Sequence, residues 1–278
     1  MVYPEFRGRG IFSALLENAI KLARDDGYDL LITFSNNPHS YQCFVCAGFT
    51  YVTDIIQSKY YLSADGPFEK YLAGLPGFMR KIIAFPFSWM YRNLIPTIHH
   101  NYRTDYRDAV GYSEEIDRMY ASGHSQSGVY GVRTPPFIQW RFSYPQFHFK
   151  CLGLWEGEKM LAYLMIEFKD KGKTALVVDF FARDYDKPHI LILLSELVTL
   201  MRKEHFDSIQ TYLLEKKGSA TRIFSLRYGF IGRSSESDKK TKPRFLYYPL
   251  KEHLCTTNLS DKKQWNIQSV DTCMFWAE

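Results

Sequence analysis

The amino-acid sequence predicts an α/β fold, with a mixed sheet of the α+β kind, built from two related units. Three observations support this prediction. Helix and strand patterns alternate over residues 1–62, three strand patterns follow one another between residues 147 and 181, and the order of elements in 1–62 recurs over 182–250. At about 150 residues per domain, a chain of 278 residues corresponds to roughly two domains.

The first unit begins with an amphipathic helix and a short strand. Apolar residues recur at helical spacing within residues 11–25, which predicts a helix with one apolar face formed by Ile11, Leu15, Ala19 and Leu22. Residues 28–34 (YDLLITF) are a short apolar run that is typical of a buried parallel strand. Helix and strand are therefore expected to lie next to each other in the fold.

Capping residues mark the second helix of this unit. Asn37 is a good N-cap residue, Pro38 fits the first helical position, and Gly48 fits the position after the C-cap. Strand patterns follow at residues 49–55 and 59–62. The first unit therefore ends at residue 62.

Residues 63–105 have the composition of a connector between domains. They contain seven glycine and proline residues around the aromatic, mildly basic segment GFMRKIIAFPFSWMYRNLI. Basic residues beside Phe and Trp also suit a membrane surface. Because Pro86 interrupts the helix in this segment, we favour packing between the domains.

Residues 106–278 predict a second, complete unit. Three strands separated by short turns (EGEK and KDKGK) indicate an antiparallel meander. The predicted helices are 113–125, 135–142, 189–205 and 219–228, the last ended by Gly229, and the predicted strands are 147–155, 161–168, 175–181, 209–214, a short one at Phe230, and 244–250.

The two units form an internal repeat of unequal completeness. Residues 1–62 and 182–250 both run loop, helix, strand, helix, Gly-Phe, strand, with CAGFTYV in the first copy and RYGFIGR in the second. The meander and two helices precede the shared part only in the second copy. The first copy is therefore expected to be a C-terminal half-domain that exposes a strand edge and apolar surface at residues 28–34, and to be poorly stable unless strands come from elsewhere.

Charge and cysteine content exclude several classes of protein. The 35 Lys and Arg against 30 Asp and Glu give a net charge of +5 and a pI of 8.8, whereas nucleic-acid binders usually show a basic stripe or a pI above about 9. The five cysteines are odd in number and irregularly spaced, and the pair Cys43 and Cys46 has no partner pair at zinc-site spacing. We therefore expect no nucleic-acid partner, no disulfide framework and no metal.

The hydropathy pattern gives an expectation for where in the cell the protein is located. No signal peptide is recognised at the start, and no run of 18 apolar residues occurs. A cytoplasmic location without an integral membrane span is the expectation.

A glycine-rich loop precedes the first helix. Residues 2–11 (VYPEFRGRGI) place Gly8 and Gly10 where the backbone can approach a ligand closely, in front of the amides and positive dipole end of the helix. Arg7 and Arg9 add cationic donors. The pattern indicates a cradle for a diphosphate, and a basic turn that merely caps the helix is the alternative.

The loop and helix, VYPEFRGRGIFSALL, resemble motif A of the GNAT superfamily of N-acetyltransferases, where an Arg/Gln-x-x-Gly-x-Gly/Ala loop binds the diphosphate of acetyl-CoA. Arg7 and Gly10 fit the first two fixed positions, and Phe12 replaces the usual third small residue. The family's downstream pattern Asn-x-x-Ala-x-x-x-Tyr-x-x-x-Gly-Phe is matched in position by Asn37, Ser40, Phe44, Gly48 and Phe49. The whole chain resembles a tandem GNAT-like protein whose first copy is partial and whose second is complete but degenerate.

The resemblance implies an acetyl-CoA site in the first unit. Backbone amides of residues 7–12 would hold the diphosphate, while Asn37 and Ser40 would lie along the pantetheine or adenosine. The cofactor-binding residues so implied are Val2, Arg7, Gly8, Arg9, Gly10, Ile11, Phe12, Asn37, Ser40 and Phe44. In this family a backbone donor for the oxyanion lies at the end of the fourth strand, which here corresponds to Met1 and Val2.

The catalytic acid departs from the family pattern. Phe44 stands where many members have a Tyr that protonates the departing thiolate. Tyr41, one turn earlier, is the candidate substitute, unless the thiolate leaves without an acid. Glu5 and His39 lie near the loop in sequence, but neither is assigned as a general base.

The function implied is transfer of an acetyl group from acetyl-CoA to a primary amine of a small molecule or sugar. A truncated or partner-binding protein without activity is one alternative. The other is a Fem-type aminoacyl transferase, which also pairs two GNAT-like domains but uses charged tRNA, for which the modest charge and the intact loop give no support. The sequence does not indicate an oligomeric state.

The second copy is expected not to bind CoA in the same way. Its turn at residues 182–189 has two carboxylates and no glycine. Arg133, Trp140 and Arg141 are interpreted as a core tryptophan with flanking surface arginines, or alternatively as groove residues. Asp179, inside a strand that should be buried, is either a site residue or an internal salt-bridge partner.

Overall fold

A computed structural model describes residues 3–62, 74–76, 78–79, 82–83, 94–95, 97–98, 100–123, 129–169, 173–183, 187–214, 223–233, 243–255 and 258–271. The helices are α1 Ile11–Asp25, α2 Pro38–Cys46, α3 Ser113–Gly123, α4 Pro135–Phe142, α5 Lys187–Lys203 and α6 Glu252–Cys255. The strands are β1 Leu30–Ser35, β2 Thr50–Tyr61, β3 Arg103–Asp108, β4 Val129–Tyr130, β5 Phe149–Glu156, β6 Lys159–Lys169, β7 Thr174–Ala182, β8 Ser208–Leu214, β9 Ile231–Arg233, β10 Arg244–Pro249 and β11 Trp265–Asn266.

Most strands join one mixed sheet, which confirms the predicted fold class. The strand order is β1-β10-β2-β8-β7-β6-β5-β3, with β9 paired to β2 beside this path, and β11 pairs separately with β4. Within the large sheet β7 and β8 are parallel, whereas the other pairs are antiparallel. The meander predicted for residues 147–181 is thus present as β5, β6 and β7.

The two units exchange strands. β10, from the second unit, lies between β1 and β2 of the first. β2 pairs with β10 through residues 50–54 and continues into the second unit, where residues 55–61 pair with β8 and residues 57–59 also pair with β9. The two strand segments predicted at 49–55 and 59–62 are therefore one long strand. Each unit is completed by a strand of the other.

Helices cover both faces of the second unit. Alternate residues of a strand point to opposite faces, so Leu152, Leu164 and Val177 pack with α5 in one core, while Tyr163 and Met165 pack with α3 and α4 in another. The near-continuous apolar character of β6 and β7 follows from burial on both sides.

Two predictions about the first unit were wrong. β1 is half-buried and antiparallel to β10, rather than buried and parallel, because its neighbour comes from the second unit. On α1, Ile20 and Ala23 pack against Leu246 of β10, whereas the predicted apolar face exposes Ile11, Leu15 and Leu22.

An exposed strand edge was also predicted here. Tyr28 and Ile32 are exposed, and β1 ends the sheet among the described residues. This part of the expectation agrees with the structure.

Several predicted elements of the connector and second unit differ in extent. β3 was not predicted, because its sequence RTDYRD is polar, and it begins inside the stretch assigned to the connector. Ile95 of the connector is buried in the large core, while Phe78 and Ile82 are exposed, and most of the connector lies outside the described residues. Of the predicted helix 219–228, residues 219–222 lie outside the described residues, and the described remainder forms no α-helix but contains a short 3₁₀ turn at Leu226–Tyr228.

No helix in the described part of the chain has the length and apolar character needed to cross a membrane.

Candidate functional site

The glycine-rich loop turns directly into α1. A 3₁₀ turn at Pro4–Phe6 is followed by Gly8 and Gly10, whose φ angles of 79° and 73° lie in the left-handed region that favours glycine. Gly10 is the N-cap of α1, so no side chain accepts hydrogen bonds from the first-turn amides. No described atom lies within 4 Å of the place where a side chain would begin on either glycine. The loop is thus open to a ligand at the start of α1.

The charges around this loop favour an anion. Arg7 and Arg9 are exposed, and the Arg9 guanidinium lies 5.5 Å from the ring centre of Phe6. Both cations stand beside the positive end of the α1 dipole. The residues present therefore fit the diphosphate of a CoA molecule, while Val2, also predicted for this site, lies outside the described residues.

Asn37 caps α2 as predicted. Its Oδ1 accepts a hydrogen bond of 2.8 Å from the backbone N–H of His39, and its own backbone is extended. The Ser35 hydroxyl donates to the Asn37 carbonyl oxygen at 3.2 Å. These contacts hold the start of α2, including half-buried Ser40, at the end of β1.

Aromatic contacts join α1 to α2. The rings of Phe12 and Phe44 meet edge to face with centres 5.5 Å apart, and Phe44 also lies 5.1 Å from Phe49. Two residues predicted for the cofactor site from distant parts of the sequence are thus in contact. The pair fixes the first turn of α1 against the second turn of α2.

Tyr41 contacts Arg244, a residue that the sequence did not indicate for this site. The guanidinium carbon of Arg244, on β10, is 4.2 Å from the centre of the Tyr41 ring. Tyr51 packs edge-on to Tyr41 at 6.4 Å and donates a hydrogen bond of 2.9 Å from its hydroxyl to Asp54. Arg244 is paired in the sheet with both Ser35 and Asp54. No local sequence signal connects Arg244 with Tyr41, because only the exchange of β10 brings them together.

The second unit holds a buried charge network. The side chain of Arg133 is 1% exposed, and its Nε and Nη2 donate to the two oxygens of Asp179 at 2.8 and 3.0 Å. Its Nη1 donates to Asp271 at 2.7 Å, and the Tyr163 hydroxyl donates to Asp179 at 2.7 Å. Asp179 is therefore a salt-bridge partner, which decides between the two interpretations of this residue.

The electrostatics of this network follow from burial and charge. Burial opposes the charge on Arg133, but Asp179 and Asp271 outweigh it, so the pKa of Arg133 is raised. Burial raises the pKa of Tyr163, and the Asp179 carboxylate raises it further.

The interpretation of Trp140 and its flanking arginines was wrong. Trp140 is 71% exposed, whereas Arg133 and Arg141 are buried. Arg133 points into the core, where it pairs with the carboxylates of Asp179 and Asp271. Trp140 lies on the exposed face of α4. Of the second-copy turn, Arg183 is described, and the two carboxylates Asp184 and Asp186 lie outside the described residues.

A protein-family model matches most of the first unit. Residues 1–49 match the model of the acetyltransferase (GNAT) family. This segment is similar to GNAT sequences. The GNAT match ends at Phe49 and so includes the loop, α1, β1 and α2. Among curated proteins no sequence match is found.

Solved structures show the same fold over most of the chain. A GCN5-related N-acetyltransferase from Anabaena variabilis is 11% identical with a TM-score of 0.60, covering 90% of this chain and 53% of that one. A probable N-acyltransferase from Enterococcus faecalis is 10% identical, also at 0.60, covering 90% and 52%. A tandem GNAT protein from the clavulanic acid biosynthesis pathway is 14% identical at 0.50, covering 90% and 73%. The chain thus has a GNAT fold and spans about half the length of the first two structures.

Among the described residues, no group of three His, Cys, Asp or Glu side chains is placed to hold a metal ion.

Proposed function

We propose that the first unit carries an acyl-CoA-dependent N-acyltransferase site, which moves an acetyl group from acetyl-CoA to a primary amine of a small molecule or sugar. The observation that carries this proposal is the left-handed Gly8–Gly10 loop, open in front of the α1 amides, within the GNAT-matching segment. The solved structures of similar fold include proteins described as N-acetyltransferases and a probable N-acyltransferase, which supports the reaction class.

The loop and α2 would contact different parts of the cofactor. The amides of residues 7–12 would hold the diphosphate, with Arg7 and Arg9 offsetting its charge. Asn37, Ser40 and Phe44 would line the rest of the cofactor along α2. Acetyl-CoA supplies the thioester whose carbonyl carbon a neutral amine attacks.

Tyr41 is the proposed proton donor to the departing thiolate. Its hydroxyl would supply the proton that Phe44 cannot, because phenylalanine has no hydroxyl group. The Phe44 ring instead packs between Phe12 and Phe49. Arg244 lies against the face of the Tyr41 ring and restrains its orientation. We propose Arg244 as a positioning residue that the second unit contributes to the site.

The second unit would then serve as a scaffold for the first. Its strand β10 forms the centre of the first unit's sheet, with Leu246 fully buried beneath α1. We propose this division, with a CoA-binding half-domain at 1–62, a connector at 63–105 and a second GNAT-like domain at 106–278 that completes it.

Isothermal titration with acetyl-CoA tests the cradle through Gly10→Trp. We expect saturable binding by the wild type and at least tenfold weaker binding by the variant, because a side chain at φ 73° strains the backbone by about 1–2 kcal/mol and the indole fills the open space. Gly27→Trp is the matched control, since Gly27 has φ 81° and open surroundings at the far end of α1. Equal affinities for wild type and Gly10→Trp, or binding by neither, contradict the proposal.

Steady-state turnover of Tyr41→Phe tests the acid, once a screen of amino sugars, amino acids and polyamines has supplied an acceptor. Removal of a general acid is expected to lower kcat by about 100-fold while the affinity for acetyl-CoA is unchanged. Tyr28→Phe is the control, because Tyr28 is exposed and far from Arg244 in the sheet. Unchanged turnover of Tyr41→Phe would remove Tyr41 from this role.

A further inference from the structure

A cleft of about 390 Å³ lies in the second unit between α3, the turn that joins β5 to β6, and the end of β7. Two of its lining residues are buried methionines, Met119 at 1% and Met160 at 4% exposure, and they form an apolar wall. The other lining residues are charged and come from all three elements. Clefts of this size hold small molecules, and methionine side chains adapt to the shape of an apolar group.

Arg183 brings an unsatisfied guanidinium to this cleft. It directly follows β7, and its side chain is half-buried. Its Nε is buried and has no hydrogen-bond partner among the described residues. A buried donor on a charged group is costly when it lacks an acceptor. An anion in the cleft supplies that acceptor, and a carboxylate matches the planar fork of a guanidinium.

The turn between β5 and β6 brings charges of both signs to the same cleft. Glu156 and Lys159 are paired across a two-residue turn, in which Gly157 has a φ of 59°. Glu156, Glu158 and Lys159 are exposed, and none of them forms an ion pair with another described residue. The turn therefore offers a ligand one cation and two carboxylates.

The charges that α3 contributes are already paired with each other. Arg118 Nη2 donates to Glu115 Oε1 at 3.3 Å, and Arg118 Nε donates to the Glu114 carbonyl oxygen at 3.2 Å. Among the described lining residues, two cations and two carboxylates are thus left for a ligand: Lys159, Arg183, Glu156 and Glu158.

We propose that this cleft binds a small zwitterion, a free α-amino acid with an apolar side chain. Arg183 and Lys159 hold its carboxylate, and the carboxylates of the β5–β6 turn hold its ammonium group. Its side chain lies against Met119 and Met160. Three strands, β10, β2 and β8, separate β7 from β1, so this site lies apart from the glycine loop and does not depend on the function proposed for the first unit.

Isothermal titration of the full chain with L-leucine, L-methionine and L-phenylalanine in turn tests the ligand class. We expect saturable one-to-one binding of at least one of them. The amide of that amino acid, which lacks the carboxylate, and its N-acetyl derivative, which lacks the ammonium group, should each bind at least about tenfold more weakly, because each loses a charge-assisted hydrogen bond. Inorganic phosphate at the same concentration should not displace it.

Variants of the cleft test its location. Arg183→Met and Lys159→Met should each weaken binding of the amino acid at least about tenfold, because each removes a cation that faces the carboxylate. Arg24→Met is the matched control, since Arg24 is an exposed arginine in the last turn of α1, and it should bind as the wild type does.

The proposal is overturned if none of the three amino acids binds, if the amide or N-acetyl derivative binds equally well, or if Arg183→Met binds unchanged. Displacement by phosphate would show a simple anion site instead. If Arg183→Met fails to fold, Lys159→Met decides, because Lys159 is exposed on a turn. Gly10→Trp should leave the amino-acid affinity unchanged, so a failure of acetyl-CoA binding in the first unit is distinguishable from a failure of this site.

Discussion

Replacing Arg133 with methionine is expected to lower the free energy of unfolding by about 3–5 kcal/mol. The side chain is 1% exposed and pairs with Asp179, itself 0% exposed, and with Asp271 at 8%. Methionine fills much of the volume but leaves two buried carboxylates without a cation, and their desolvation is then uncompensated.

Urea denaturation of the full chain measures this loss. Arg118→Met is the matched control, because Arg118 is 72% exposed and its contact with Glu115 is a surface ion pair worth about 0–1 kcal/mol. The triple variant Arg133→Met/Asp179→Leu/Asp271→Leu removes the charges together and should recover part of the stability. A loss below about 1 kcal/mol for Arg133→Met would show that the buried network contributes little.

Phe245→Ala is expected to destabilise both units together, by about 3–5 kcal/mol. Phe245 is fully buried on β10, where its ring stacks on Phe34 of the first unit at 5.1 Å and meets Trp265 of the second at 4.7 Å. Because β10 and β2 are exchanged, loss of this contact weakens the sheet on both sides of the exchange.

Native-state hydrogen exchange separates joint from independent unfolding. Protection of amides in β1 and in β8 should fall by the same free energy in Phe245→Ala. Phe78→Ala, at a phenylalanine that is 67% exposed, should change neither. Faster exchange in β1 alone would mean that the units unfold separately and that the strand exchange does not couple them.

The strand exchange gives the second unit a direct part in the proposed reaction. β10 places Arg244 over Tyr41, and the same strand supports α1 through Leu246. In the proposed reaction, a unit whose sequence lacks the glycine loop would thus contribute by completing the sheet of its neighbour.

Local chemistry explains which features could be predicted from the sequence. Asn37, Pro38 and Gly48 mark the ends of α2 because capping depends on the residue itself and its immediate neighbours. The loop glycines were recognisable for the same reason, since a positive φ is a property of one residue. The alternating and apolar patterns of β5, β6 and β7 likewise identify strands that bury their own side chains.

Features that depend on distant partners could not be predicted in this way. The apolar face of α1 was misassigned because burial is decided by where Leu246 of β10 lies. Arg133 was misassigned because its partners Asp179 and Asp271 are distant in the sequence, and Trp140 is exposed. A periodic pattern identifies a helix or strand but carries no information about which element lies against it.

The sequence by itself determined most of the elements, the caps of α2 and the glycine loop, because each rests on the chemistry of neighbouring residues. The tertiary structure alone decided that β10 lies between β1 and β2, and that β2 extends to pair with β8. It also decided that Arg244 contacts Tyr41, and that Gln268 and Ser269 form hydrogen bonds with β7 and β8. These contacts join residues far apart in the chain, and their free energy depends on unpaired backbone groups and buried charges that exist only once the sheet has formed.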